Sequence, residues 1–250
     1  MRLIELTWLM IKREMVIKYR GTILGYIWTI LSPLAFACVY YIAFKYIVRI
    51  PVENYAVFLL TGLFPWIWIS STLNNATNAF TSYQAVLKSR YINPLIVPFF
   101  VVTIEFVNFL FSIPVIIALL IYTGTNFNLS SVIHFPILII LHFVFLISAS
   151  GIIACLSLIF RDLGHLIQLA IQMLFFLSPI IYPLSLVPVN YINIYKLNPF
   201  VNMIQLWRQI FNGENVDLIL YAYPLIFSIF IGIISYILLN IIGKKAVQWL

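Results

Sequence analysis

Few side chains in this sequence could do chemistry, and Glu105 leads them: it is the only acid deep inside an apolar run. A charge in hydrocarbon is costly, so an intramembrane carboxylate is a candidate functional group that needs hydrogen-bond donors or a proton. Asn108 and the trio Asn74, Asn75 and Asn78 are the polar groups at hand, and the sequence assigns no one of them as partner. Glu105 follows Pro94-Leu95 by ten residues, about 15 Å along a helix, which keeps it in the inner half of a bilayer. A structural, hydrogen-bonded or protonated glutamate fits as well as a transport residue. His134, His142 and His165 show no metal-ligand spacing with cysteines or acids, and read as interface or packing residues. Cys38 and Cys155 lie in apolar runs and read as small buried side chains. With no nucleophile elbow, paired carboxylates or metal motif, the chain is expected not to be an enzyme. No G-x-x-x-x-G-K-[ST] phosphate loop occurs, because IIGKKAV lacks the upstream glycine, so a nucleotide cofactor is not expected on this chain.

The remaining candidates are cationic. KREMVIKYRGTILGYIWTILSP places Lys12, Arg13, Lys18 and Arg20 just before a run without charge until Lys45. A basic, half-amphipathic segment joined to about 20 apolar residues reads as an interfacial helix turning into a membrane span. At about 100° per residue, Arg2, Glu5, Lys12, Arg13 and Arg20 share one arc, leaving Leu3, Leu6, Met10 and Ile17 for the lipid boundary. Glu14 and Lys18 have i,i+4 spacing. Gly21 and Gly25, at G-x-x-x-G spacing, let the backbone bend into the bilayer or mark a helix contact.

The elements that must position these groups follow from composition. The 250 residues are 64% hydrophobic and 8% charged, and mean hydropathy is +1.08. A soluble domain carries roughly 25% charged residues, so a polytopic, all-α membrane protein is the expected class. The net charge of +7 would suit nucleic acid, but its distribution argues for topology. Arg2, Lys12, Arg13, Lys18, Arg20, Lys88, Arg90, Arg161, Lys244 and Lys245 fall on one side; Lys45, Arg49, Lys196 and Arg208 fall on the other. Basic residues gather on the cytoplasmic face, where anionic headgroups also lie. Charges interrupting the first apolar residues argue against a cleavable signal peptide, so the N-terminus is expected to stay inside.

The expected order is an interfacial helix over 1–24 and six spans at about 25–46, 55–80, 95–122, 133–160, 163–178 and 218–243, as one domain with both termini cytoplasmic. Span 2 carries a polar patch from Ser70 to Asn78. Pro94 closes a short basic segment at 82–92, which reads equally as a solvated loop. Lys244-Lys245 is expected to stop the last span. Segment 179–217 holds Pro179, Pro183, Pro188 and Pro199 with four charges, yet contains FVNMIQLW. It reads as an outer re-entrant hairpin, which needs shelter by protein or a wet cavity.

Lys18, Tyr19, Arg20, Gly21, Leu24, Gly25, Trp28 and Pro33, then Arg161-Asp162, Gln172, SPIIYP (Ser178–Pro183), Asn198-Pro199 and Arg208, stand in a specific order. That ordered set resembles the ABC-2 type permeases that export polysaccharides and polyol phosphates, the O-antigen, capsule and teichoic acid exporters. The resemblance covers essentially the whole chain. It implies a homodimer in the bacterial inner membrane, paired with two copies of a separate ATPase that carries Mg-ATP. The 82–92 segment would then be the coupling helix, with Gln84, Leu87, Lys88 and Arg90 joined by Arg161-Asp162, which read also as an inner salt bridge. Lys12, Arg13, Lys18 and Arg20 would attract the diphosphate head of a lipid-linked polysaccharide. Trp28, Tyr40, Tyr41, Trp66 and Trp68, with Glu105, are candidates for the path, because aromatic faces stack on sugars. Interface anchoring explains Trp28 equally well. Ser178, Pro179, Tyr182 and Pro183 would form an outer gate. An ABC-2 drug or lipid exporter is the alternative; a secondary transporter would need an ion-coupling site and an internal repeat, and none is visible.

Overall fold

The computed structural model describes residues 3–90, 93–124 and 129–249, and these form helices without a strand. Helix α1 (Leu3–Tyr19) is followed by α2 (Trp28–Tyr41), whose end widens into a π-helical segment over Ile42–Ile47. Then come α3 (Tyr55–Ala76), the short α4 (Ala79–Ser82) and α5 (Gln84–Arg90), α6 (Val97–Leu110) and α7 (Ile113–Tyr122). Helix α8 (Leu129–Ile159) and α9 (Leu163–Phe176) precede a broken stretch containing α10 (Ile192–Tyr195) and α11 (Pro199–Phe211). Helix α12 (Ile219–Leu238) and α13 (Lys244–Trp249) complete the order.

Five segments are long and apolar enough to cross a membrane: Trp28–Ile47, Tyr55–Ala76, Pro94–Tyr122, Ser131–Ile159 and Ile219–Ala246. Helix α9 is apolar but has only 14 residues, about 21 Å of rise, shorter than the roughly 30 Å hydrocarbon layer. The last helix continues past Lys244-Lys245. A π turn over Leu239–Gly243 leads straight into α13, since lysines are good helix formers and lie past the apolar run.

Gly21 (φ 77) and Gly25 (φ 50) explain how α1 meets α2. Arg20 N still donates to Val16 O, and left-handed Gly21 then ends the helix as a C-terminal glycine does. A Cβ at either glycine would meet nothing within 4 Å of this chain, so within it this pair turns the backbone. Helix α1 docks on α6. Leu6 and Met15 are buried there, so Leu6 faces protein and not lipid, while Trp8, Leu9, Val16 and Ile17 are left exposed.

Two cores stack along the bundle. The smaller joins Leu6 to Phe80, Tyr83, Leu87, Val97, Phe100, Ala154, Leu239 and Ala246. It therefore gathers α1, α4, α5, the foot of α6 and the ends of α8 and α12 at the end bearing Lys12, Lys88, Arg161 and Lys244, here termed the basic end. The larger core centres on α3, packed by α6, α8 and α11.

Candidate functional site

At its basic end α3 presents Ser71, Asn74 and Asn75, spaced i, i+3 and i+4, on one face, and Asn78, in the turn before α4, continues the row. The face opens onto two cavities. One, of about 570 Å³, is bounded by this row, Glu14, Ser82, Tyr83, Glu105 and Asn108. The other, of about 600 Å³, shares Asn74, Asn75 and Asn78 and is closed by Ser157, Arg161, His165 and Gln168. A third space of about 240 Å³ continues from Ser71, Glu105 and Asn108 towards Trp28, Ser32 and Trp68. A polar row between two cavities leaves the hydrocarbon without unsatisfied amides, which is how irregular polarity is tolerated at membrane depth.

Glu105 acquires the partners that sequence left open. Asn75 Nδ2 donates to its Oε1 at 2.8 Å and Asn108 Nδ2 to its Oε2 at 3.0 Å. The carboxyl group is 6% exposed, and two amide donors replace the water it has lost. Both amides thereby turn their carbonyl oxygens away from it. Asn108 Oδ1 is buried with no hydrogen-bond partner, a state that costs about 1–3 kcal/mol.

The opposite end, formed by the turn after α9 and by α11, uses polar groups differently. Arg208 is buried. Its Nη2 donates to Ile180 O at 2.7 Å, its Nε to Phe58 O at 3.3 Å, and its guanidinium carbon lies 3.5 Å from the centroid of the Phe58 ring. Gly62 leaves the room: a Cβ there would come within 2.9 Å of Nη2. Tyr55 Oη donates to Ile181 O at 2.7 Å. Asn198 Nδ2 donates to Leu177 O and Ser178 Oγ, while its Oδ1 accepts from Phe200 N and caps α11. Tyr182 Oη donates to Phe176 O and lies 2.9 Å from Tyr195 Oη. Carbonyls of the non-helical SPIIYP backbone are thus held by side chains from α3 and α11, the shelter a broken helix requires. Of the gate candidates, Ser178 and Pro179 are buried in this turn, and Tyr182 and Pro183 are half-buried.

The other candidates separate by burial. Trp68 stacks on His142 at 4.3 Å, and His142 Nδ1 accepts from Trp207 Nε1 at 3.0 Å. Trp66 packs between Phe175 and Phe200. Trp66 and Trp68 are core residues of this chain, although Trp68 also borders the 240 Å³ space. Tyr40 packs on Phe175, Tyr41 on Tyr46 and Tyr55, and Trp28 remains exposed. His142 is a packing residue, and His134 stacks against Tyr221 at 6.0 Å. Among the described residues, no group of three or more His, Cys, Asp or Glu could hold a metal.

On α5, Leu87 is buried and Gln84 half-buried, whereas Lys88 points outward. Burial pushes the Tyr83 phenol well above its ordinary range, so Tyr83 joins that core as a neutral group. Lys12, Arg13 and Arg20 are exposed, and Arg13 Nη1 lies 3.9 Å from Glu14 Oε1. The side chains of Lys18 and Arg90, and Tyr91-Ile92 of the 82–92 segment, lie outside the described residues. So does one side of the Glu14–Lys18 pair. Arg161 and Asp162 do not pair: among the described residues, Arg13–Glu14 is the ion pair found within 4.0 Å. Both are exposed, and Arg161 borders the 600 Å³ cavity.

Two features escaped sequence reasoning. The i, i+3, i+4, i+7 spacing of Ser71, Asn74, Asn75 and Asn78 was the available signal for the cavity face. A lone charge, Arg208, in the otherwise uncharged FVNMIQLWRQIF was the signal for the buried fastening of the outer turn.

A multi-pass helical membrane protein with polar cavities at its basic end and a sheltered broken helix at the other is the class so defined. Residues 5–212 match the model of the ABC-2 type transporter family, and the chain belongs to that family. It is 35% identical over 212 residues, 84% of this chain and 82% of the relative, to an O-antigen export system permease protein, RfbA, of Klebsiella pneumoniae. A Myxococcus xanthus protein of the same name is 29% identical over 204 residues, 81% of this chain and 78% of the relative. The polysialic acid transport protein KpsM of Escherichia coli is 25% identical over 233 residues, 90% of this chain and 89% of the relative.

Proposed function

We propose that this chain is the permease subunit of an ATP-driven ABC exporter that moves a lipid-linked polysaccharide, of O-antigen, capsule or teichoic acid type, across the bacterial inner membrane. The hydroxyl- and amide-lined cavities beside Ser71, Asn74, Asn75 and Asn78 carry this reading, because a glycan needs hydrogen-bonding walls where a hydrophobic drug needs apolar ones. The O-antigen and polysialic acid relatives support it.

Two copies form the path, and both termini face the cytoplasm. Helix α9 and the hairpin after it complete a sixth crossing, with Ser178, Pro179, Tyr182 and Pro183 at its outer gate. Two copies of a separate ATPase, loaded with Mg-ATP, push on the 82–92 segment. Leu87 roots that helix in the membrane domain, while Gln84, Lys88 and Arg90, with Arg161 and Asp162 nearby, offer the contact. Lys12, Arg13, Lys18 and Arg20 attract the anionic head of the lipid carrier. Trp28, Tyr40, Tyr41 and Glu105 border the route inward.

An apolar groove of about 380 Å³ along Leu34, Cys38, Tyr41, Tyr46, Leu60 and Leu119 favours the alternative, a lipid or drug exporter. Depletion of the chain in its host, with lipid-linked glycans extracted from intact and opened cells, separates the two. Long lipid-linked polymer accumulating inside is the expected result; normal surface glycan with no accumulation overturns the polysaccharide reading.

A further inference from the structure

We infer that Glu105, Asn75 and Asn108, with Ser71, Asn74 and Asn78 opposite, form a binding subsite for the hydroxyl groups of a neutral sugar, which admits the glycan part of the cargo and rejects its phosphate. The inference rests on the polysaccharide reading above and names what occupies its inner cavity.

The argument is an inventory of donors and acceptors. Asn75 and Asn108 commit an N–H2 group each to Glu105, at 2.8 and 3.0 Å. A carboxylate has about four lone-pair sites and an amide oxygen two, so two such donors leave acceptor capacity unfilled. Asn108 Oδ1, also without a partner, is itself buried, so the acceptors that border the cavity are those of Glu105, Asn74, Asn75 and Asn78. The 570 Å³ cavity beside these groups is bounded by two carboxylates, Glu105 and Glu14, and, among the described residues, by no lysine, arginine or histidine side chain. A ligand that fits must bring donors. A sugar brings several hydroxyls, each a donor with further acceptor capacity for the amides of Asn74 and Asn78. A phosphate brings acceptors and negative charge, and meets the like charge of Glu105 and Glu14 there. The cavity on the other side of the same asparagines carries Arg161 and His165, so the two chambers differ in the sign of charge they favour. At about 570 Å³ the acidic chamber is within the usual range for a small-molecule site. It continues past Ser71, Glu105 and Asn108 to Trp28 and Trp68, where a ring face is available for the next sugar.

The test uses the full chain with its partner ATPase in lipid nanodiscs, titrated with methyl α-mannoside and methyl β-galactoside by saturation-transfer NMR. At least one glycoside should bind saturably, and Glu105→Gln should weaken it by about tenfold, as expected for loss of a charged acceptor. Asn74→Ala touches neither partner of Glu105, and should weaken binding by about threefold for one lost hydrogen bond. It decides the matter if Glu105→Gln does not fold. Inorganic phosphate should not compete. Unsaturable glycoside binding, equal binding in the folded variants, displacement by phosphate, or sodium or calcium displacing the glycoside would each overturn the subsite. Export in the host separates this from the parent reading. Cells lacking the chain that still display surface glycan remove the exporter; cells that need the chain but export at wild-type rate with Glu105→Gln keep the exporter and lose the subsite.

Discussion

The two ends of α3 use the same kinds of side chain for opposite purposes. Near Tyr55 and Phe58, long polar side chains fasten backbone: Tyr55 holds Ile181 O, and Arg208 holds Ile180 O and Phe58 O. Near Asn74 and Asn78, amides face cavities and Asn108 Oδ1 has no partner. The difference lies in what surrounds them. Helix α11 fills the space beside the first half of α3 with Trp207, Ile204 and Phe200, whereas cavities of about 570 and 600 Å³ lie beside its last turn. A buried polar group that is fully satisfied is glue; one left in an open chamber is available to a ligand.

Substitutions at the two ends should therefore fail differently. Arg208→Leu should have the largest effect, destabilising by about 3–5 kcal/mol because two buried carbonyls lose their donor, with loss of folded protein on thermal unfolding in detergent. Gly62→Ala should push in the same direction, since the added methyl meets the guanidinium at 2.9 Å. At the basic end, Leu87→Ala should cost about 2–4 kcal/mol by opening a cavity under α5. It should also lower export per ATP hydrolysed, whereas Lys88→Ala should leave stability unchanged and weaken binding of the ATPase. Trp207→Phe should cost about 1–2 kcal/mol by orphaning His142 Nδ1, read as a lower unfolding temperature with export per folded copy preserved. Glu105→Gln should have the smallest effect on stability, within about 1 kcal/mol, because its amide can still bond Asn75 or Asn108. Its defect should appear in export.

A similar contrast separates neighbouring spans. Over 18 residues of each, 72% of the span Tyr55–Ala76 is buried against 6% of Trp28–Ile47. Both are long apolar runs, so their existence was legible from length and hydropathy, as was the break in helix at Ser178-Pro179. Their different depths were not, because apolar residues face lipid and core alike and no periodic polar face distinguishes them. For the same reason Trp66 and Trp28 looked equivalent, although one is packed between phenylalanines and the other is exposed. The π segments at Ile42–Ile47 and Leu239–Gly243 involve one extra residue per turn, which leaves no compositional trace. The pairing of Glu105 with Asn75 crosses from α6 to α3, and spacing within one helix cannot reveal it. Asn108, three residues from Glu105 on the same helix, was within reach of spacing alone.

The most direct measurement is surface glycan per folded copy of the chain in cells carrying Glu105→Gln or Trp207→Phe as the sole copy. The account predicts wild-type folding and a marked loss of export for Glu105→Gln, and reduced folding with wild-type export per copy for Trp207→Phe. Equal export per folded copy in both variants would contradict it, placing Glu105 with the glue and leaving the polar chamber without a role in transport.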